Sequence, residues 1–239
     1  MVTYSKPINS RMTKRFAEFI GILIGDGHLE YRKRGSYFKI TGNPKTEIDY
    51  YEHVARLASE ILKRKIKPRI MDTGRSIGIS FGSKRLGEFL FRLGFPKKNK
   101  CHTVKIPKKI LTKRNLSIAC LKGIFDTDGC LTIKRRYRED PYYPTVNITL
   151  ANKPLIIQIS KILDRLRMEH CRVLDKCYYD ERTKKFYTKS FIYLYGFTRV
   201  HKWFKVIGSG NPATILRYKD KVKEHYSGER LIQFNKRKK

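Results

Sequence analysis

FIGILIGDG at residues 19–27 and LKGIFDTDG at residues 121–129 are two copies of one pattern, set 102 positions apart. Each has glycine at its third place and ends in Asp-Gly, at Asp26-Gly27 and Asp128-Gly129. A period of that length marks a duplicated structural unit and is read before any local propensity. The run into the first copy (Phe16, Phe19, Ile20, Ile22, Leu23, Ile24) is apolar nearly all round, the mark of a helix buried on several sides. Gly21 and Gly25 are four apart and share a face, and Gly123 and Thr127 repeat that small-residue spacing. Small residues let helices approach closely, so the two motif helices are expected to pack on each other through these four positions.

Glycine is the usual residue just past a helix end, so Asp26 and Asp128 sit in the last turn. A carboxylate there faces the negative end of the helix dipole, where a cation is favoured. If the two helices end side by side, the carboxylates repel by roughly 4 kcal/mol at about 4 Å in an effective dielectric near 20. A divalent cation between them reverses that sign. Magnesium takes one or two carboxylates and completes its shell with water and phosphate oxygens, and metal-bound water can then attack a phosphodiester. The competing reading is that each Asp-Gly only opens a turn. A calcium loop starting at Asp126 fails because Ile133 and Lys134 stand where acids are needed.

Outward from the motifs the two halves repeat one order of elements. Strands are predicted at 29–34, 37–41, 67–72 and 76–81, with helices at 47–62 and 84–93. In the second half strands are predicted at 131–138, 145–150, 173–179 and 186–195, with helices at 154–167 and 198–206. The domain reading is a first unit at 13–100, a basic linker at 101–114, a second unit at 115–226 and a basic tail at 227–239.

Lysine and arginine number 54 against 21 acidic residues, a formal charge of +33, with 15 tyrosines and 13 phenylalanines interleaved. That balance points to a polyanionic partner, and a purely structural basic RNA-binding protein shares it. No apolar run of about 18 residues and no signal-peptide core appear, so an intracellular protein without membrane association is expected, in cytoplasm or organelle. The five cysteines contain no C-x-x-C pair and read as small buried apolar residues; the six histidines form no metal-spaced cluster.

The two nonapeptides, their spacing and the element order over residues 13–226 resemble the LAGLIDADG homing endonucleases, with Asp26 and Asp128 at the motif's acidic position. The resemblance implies an α+β fold: two pseudo-symmetric αββαββα subdomains, motif helices at their interface, and saddle-shaped antiparallel sheets over DNA. It also implies a monomeric, double-motif enzyme that cuts a long asymmetric site across the minor groove and leaves 3′ overhangs. Mg2+ is the implied cofactor, with Mn2+ or Ca2+ able to occupy its site, held by Asp26, Asp128 and the carbonyls of Gly25 and Thr127. A solvent-polarising lysine downstream of the first acid matches Lys98 or Lys100 in GFPKKNK, whereas the second-half counterpart, IGSGNPA at 207–213, has no lysine. Ile24 stands where the motif usually carries a further acid, which Asp126 supplies in the second copy. Neither Met1 nor the terminal KRKK matches an intein's splicing residues, so a free-standing, intron-encoded enzyme is expected.

Alternate residues of a strand share a face. Arg32, Arg34 and Lys39, with Lys67, Arg69 and Arg75 from the next hairpin, are the candidate DNA contacts of the first half. Lys134, Arg136, Arg138, Asn147, Thr149, Lys176, Tyr178, Lys189, Tyr193 and Tyr195 are those of the second. The implied partner is double-stranded DNA of about twenty base pairs, with phosphate contacts setting position and base-edge contacts setting sequence. The alternatives are an RNA maturase acting on intron RNA and a non-cutting DNA-binding protein on the same scaffold. No obligate protein partner is implied.

Overall fold

A computed structural model of the chain describes residues 12–33, 35–134 and 143–223. Arg34, Arg136, Arg138 and the 227–239 tail lie outside the described residues. The chain divides into two compact units, Met1–Thr127 and Asp128–Lys239.

The first unit opens with α1 (Lys14–Ile24), capped by the Thr13 hydroxyl, which accepts from the Phe16 amide at 3.1 Å. Strands β1 (His28–Arg32) and β2 (Gly35–Gly42) follow, then α2 (Ile48–Leu62), β3 (Arg69–Met71), β4 (Ser76–Gly82) and α3 (Lys84–Arg92). The four strands form one antiparallel sheet in the order β1-β2-β4-β3. Alternation places Phe38, Ile40, Ile77, Ile79 and Phe81 on its buried face, and α1 is buried continuously from Phe16 to Ile24.

Residues 101–114 hold more structure than the predicted linker. They include most of α4 (Lys100–Thr103) and all of α5 (Lys108–Leu111), and Val104, Ile106 and Ile110 are buried there. Three apolar anchors spaced among the lysines draw this segment onto the core. Next comes α6 (Arg114–Asp128), the second motif helix, all but its last residue within the first unit.

The second unit continues with β5 (Gly129–Lys134), β6 (Tyr143–Leu150), α7 (Lys153–Arg165), β7 (Cys171–Asp180), β8 (Lys185–Tyr195) and α8 (Phe197–Val206). Its sheet has the order β5-β6-β8-β7, again antiparallel. The series α1 β1 β2 α2 β3 β4 α3 therefore recurs as α6 β5 β6 α7 β7 β8 α8, the α+β repeat predicted from the sequence. One further helix, α9 (Pro212–Tyr218), was not predicted. Asn211 caps it, and Tyr218 stacks on Phe204 of α8 with ring centroids 4.1 Å apart. No described helix is long and apolar enough to cross a membrane. The cysteine reading holds for Cys120 alone: Cys101, Cys130, Cys171 and Cys177 are exposed. A cysteine's burial follows the face of its element, which composition does not specify.

Candidate functional site

The motif glycines bring α1 and α6 into backbone contact. A Cβ built on Gly21 would stand 2.1 Å from the Cys120 carbonyl oxygen and 3.0 Å from the Ile124 nitrogen. One built on Gly123 would stand 2.2 Å from the Glu18 carbonyl oxygen and 2.8 Å from the Ile22 nitrogen. Cys120 and Ile124 lie 102 positions beyond Glu18 and Ile22, so the two close approaches repeat each other with the sequence period. Gly25 and Thr127 are half-exposed; the Thr127 hydroxyl turns back to the carbonyls of Gly123 at 3.2 Å and Ile124 at 3.0 Å.

Asp26 is exposed and Asp128 half-exposed, each one turn beyond its helix's close-approach glycine. The last turn of α1 carries no cation of its own. Lys100 supplies one: its Nζ donates to the carbonyls of Leu23 at 3.0 Å, Gly27 at 2.6 Å and Gly25. Positive charge on terminal carbonyls is the arrangement a helix dipole favours, and it offsets the adverse placement of Asp26. Of the two candidate lysines, Lys100 is thus held at the helix end. Lys98 lines an adjoining cavity of about 210 Å³ with Gly27, His28, Phe95 and Lys97. In the second unit the stretch matched to GFPKKNK, IGSGNPA at 207–213, carries no lysine and runs into the first turn of α9.

Each helix end offers a carboxylate and the carbonyl just before it, the hard oxygen donors that magnesium takes. Among the described residues no three His, Cys, Asp or Glu side chains gather as a cation cage. The donor set fits an ion that keeps water and phosphate oxygens in its shell. One of those donors, the Gly25 carbonyl, is the oxygen that accepts from Lys100.

A buried charge cluster beside the helix crossing was not read from the sequence. Glu18 of α1, 7% exposed, meets His53 Nε2 of α2 at 2.7 Å and Lys122 Nζ of α6 at 2.9 Å. Its signal is a single acid within the buried run from Phe16 to Ile24. Burial alone would raise the Glu18 carboxyl, but the His53 hydrogen bond and the Lys122 charge outweigh it, so the group lies below the ordinary glutamate range. A depressed folded-state value stabilises the fold fully above the unfolded carboxylate range, about pH 4.3, and that contribution fades as pH falls through the depressed value. Glu18→Gln is expected to lower stability at pH 7 by about 1–3 kcal/mol. The gap to wild type should close in acid, as read by urea titrations from pH 7 to pH 3. A gap independent of pH counts against the charge argument.

In the first unit the sheet face away from the buried residues carries Arg32, Lys39 and Arg69, with His28, Glu30, Tyr37 and Ser80. Lys39 pairs with Asp72 at 2.8 Å, Arg32 with Glu30 at 2.7 Å while lying over the Tyr37 ring, and Arg69 donates to Ser80 Oγ at 2.5 Å. Exposed pairs of this kind are worth at most about 1 kcal/mol, so an incoming phosphate can compete for these cations. Lys67 lies in the segment before β3 and Arg75 in the turn before β4, neither in a strand.

In the second unit Asn147, Thr149, Tyr193 and Tyr195 share the open face, since their neighbours Val146, Ile148, Ile192 and Leu194 are buried. Lys176 and Tyr178 join that face opposite Lys189 and Tyr187 because the β7 register shifts between Val173 and Lys176. Such a bulge reverses the odd-even rule along a strand, so alternation alone could not place them. The face also carries a stacked row, Phe191, Tyr193 and Tyr195, with centroids 5.6 Å and 5.3 Å apart. Lys134 ends β5, paired with Tyr143.

No protein-family profile matches the chain. It is 27% identical over 233 residues to the replication factor C small subunit of Methanocaldococcus jannaschii, covering 93% of this chain and 12% of that protein. It is 32% identical over 120 residues to a subunit of the A-type ATP synthase of Pyrococcus abyssi, covering 49% of this chain and 11% of that protein. The chain thus spans about an eighth or less of the length of these curated relatives. Among solved structures it is similar to the homing endonuclease I-DmoI in complex with DNA and Ca, with TM-score 0.55 and 21% identity over 81% of this chain and 88% of that one. It is also similar to the homing endonuclease I-WcaI bound to its DNA recognition sequence, with TM-score 0.50 and 15% identity over 91% of this chain and 88% of that one. Full-length DUF199/WhiA from Thermotoga maritima matches with TM-score 0.55 and 15% identity, over 98% of this chain and 68% of that one.

Proposed function

From the LAGLIDADG homing-endonuclease fold that this chain has, we propose that it is a site-specific, divalent-metal-dependent DNA endonuclease. The observation that carries the reading is the repeated helix end. In both copies a helix drawn close to its partner by a glycine ends at, or two residues before, a solvent-accessible aspartate preceded by a carbonyl. Asp26 with Gly25, and Asp128 with Thr127, are the oxygen donors assigned to Mg2+, with Mn2+ or Ca2+ as substitutes. Bound there, the ion supplies an activated water and charge stabilisation at the leaving oxygen.

The remaining work falls to the chain's own side chains. Arg32, Lys39 and Arg69 on one sheet, and Lys176, Lys189, Asn147, Tyr193 and Tyr195 on the other, hold the duplex and read it, lysines chiefly on phosphates and arginine or asparagine on base edges. Lys100 places a cation within two residues of Asp26. A non-cutting nucleic-acid-binding protein is the second reading, favoured by the Lys100 contact that already offsets the charge at the end of α1.

The test is incubation with a DNA library of intron-insertion sequences, in Mg2+ and then in EDTA. A cut present only with Mg2+ is expected, at one long site. Metal-independent cutting, or none at all, rejects the nuclease reading. Binding to the selected site should weaken with salt at a log-log slope near −9 if about ten phosphates are neutralised. A slope near zero would remove the polyanion argument for either reading.

A further inference from the structure

We propose that Lys100 is a tethered competitor of the divalent cation, so that metal binding at Asp26 and release of this ammonium from the end of α1 are one coupled event. The inference rests on the metal reading above. Lys100 Nζ sits among three carbonyls, and the middle one belongs to Gly25, the residue whose oxygen is assigned to the metal. A double charge and a single charge on one oxygen repel each other, so the two cations alternate there.

The side chain can move without unfolding its surroundings. Lysine carries its charge on a flexible four-carbon stem. Lys100 is the first residue of α4, a single turn, and it lines the cavity of about 210 Å³ that Gly27, His28, Phe95 and Asn99 also line. Release turns the ammonium from helix carbonyls toward that space, which Lys97 and Lys98 also line. The coupling makes Lys100 a positioning residue with two states. It steadies the end of α1 in one and becomes available to a phosphate in the other. The corresponding stretch of the second unit, 207–213, has no lysine, so the two helix ends should differ in metal affinity.

Mn2+ titration of the full chain without DNA, followed by the EPR signal of free Mn2+, tests the coupling. Lys100→Met should bind Mn2+ at the Asp26 site about tenfold tighter than wild type and melt several degrees lower without metal. Lys98→Met removes an equal charge from the same cavity and sets the baseline for simple electrostatics. Asp26→Asn, which should lose the site, identifies the titration step concerned. Affinity in Lys100→Met no tighter than in Lys98→Met overturns the inference while leaving the metal reading in place. Mn2+ that binds neither wild type nor Lys100→Met overturns both. Should Lys100→Met not fold, acetylation of Lys100 in wild type, read by mass spectrometry, decides the matter. A faster reaction with Mn2+ present supports release, and an unchanged rate refutes it.

Discussion

Replacing Asp26 or Asp128 by asparagine is expected to lower the rate of DNA cleavage by about a thousandfold or more, a loss of about 4 kcal/mol of transition-state stabilisation. Asparagine keeps the shape and one oxygen of the side chain but removes the charge that the proposed site would offer a divalent ion. DNA binding should persist or tighten slightly, because each change takes a negative charge away from the approaching phosphates. Single-turnover nicking on the selected site, with anisotropy on the same duplex, separates the two effects. Near-normal cutting by either variant would show that the aspartates only open turns. Loss of binding together with cutting would make them structural.

The second large effect concerns the glycines. Alanine normally improves a helix over glycine by about 1 kcal/mol, so Gly21→Ala and Gly123→Ala would be stabilising on propensity alone. Here the new methyl would lie 2.1 Å and 2.2 Å from backbone carbonyl oxygens of the facing helix. A backbone cannot swing aside as a side-chain end can, so α1 and α6 must part, exposing part of the continuously buried run from Phe16 to Ile24. A net destabilisation of about 3 kcal/mol is expected for each, or about 6–12 °C in melting temperature for a chain of this length. Gly82→Ala is the control: its Cβ would meet only the Ser36 carbonyl, at 3.9 Å, and should cost little. A melting temperature unchanged or raised in Gly21→Ala would mean that the helices do not approach as described.

Much of this architecture was written locally. The two repeated nonapeptides, the strand alternation in SYFKI and TVNITL and the amphipathic helices between them are patterns over a few residues, so α1 to α3 and β1 to β8 could be placed from the chain itself. The glycines were legible for the same reason, since a residue without a side chain in a buried helix implies a close neighbour. Harder to read was anything that depends on which distant atoms meet. The anchoring of 101–114 by Val104, Ile106 and Ile110 was hidden among lysines, and the β7 bulge that turns Lys176 and Tyr178 to the open face leaves no mark in an alternating pattern.

The sequence by itself determined the duplication, the α+β repeat and the pair of aspartates at helix ends, because hydrophobic period and the Asp-Gly stop are properties of neighbouring residues. Only the tertiary structure decided which cation sits on the carbonyls at the end of α1. Lys98 and Lys100 are equivalent in composition and nearly so in position, and 77 residues separate Lys100 from Leu23. The choice between them depends on the fold of the intervening strands and helices, which brings one ammonium onto the carbonyls of Leu23, Gly25 and Gly27. The same holds for Glu18, whose partners His53 and Lys122 come from two other helices. Desolvated charge is stable only where opposite charge is delivered to it, and that delivery is a property of packing in three dimensions.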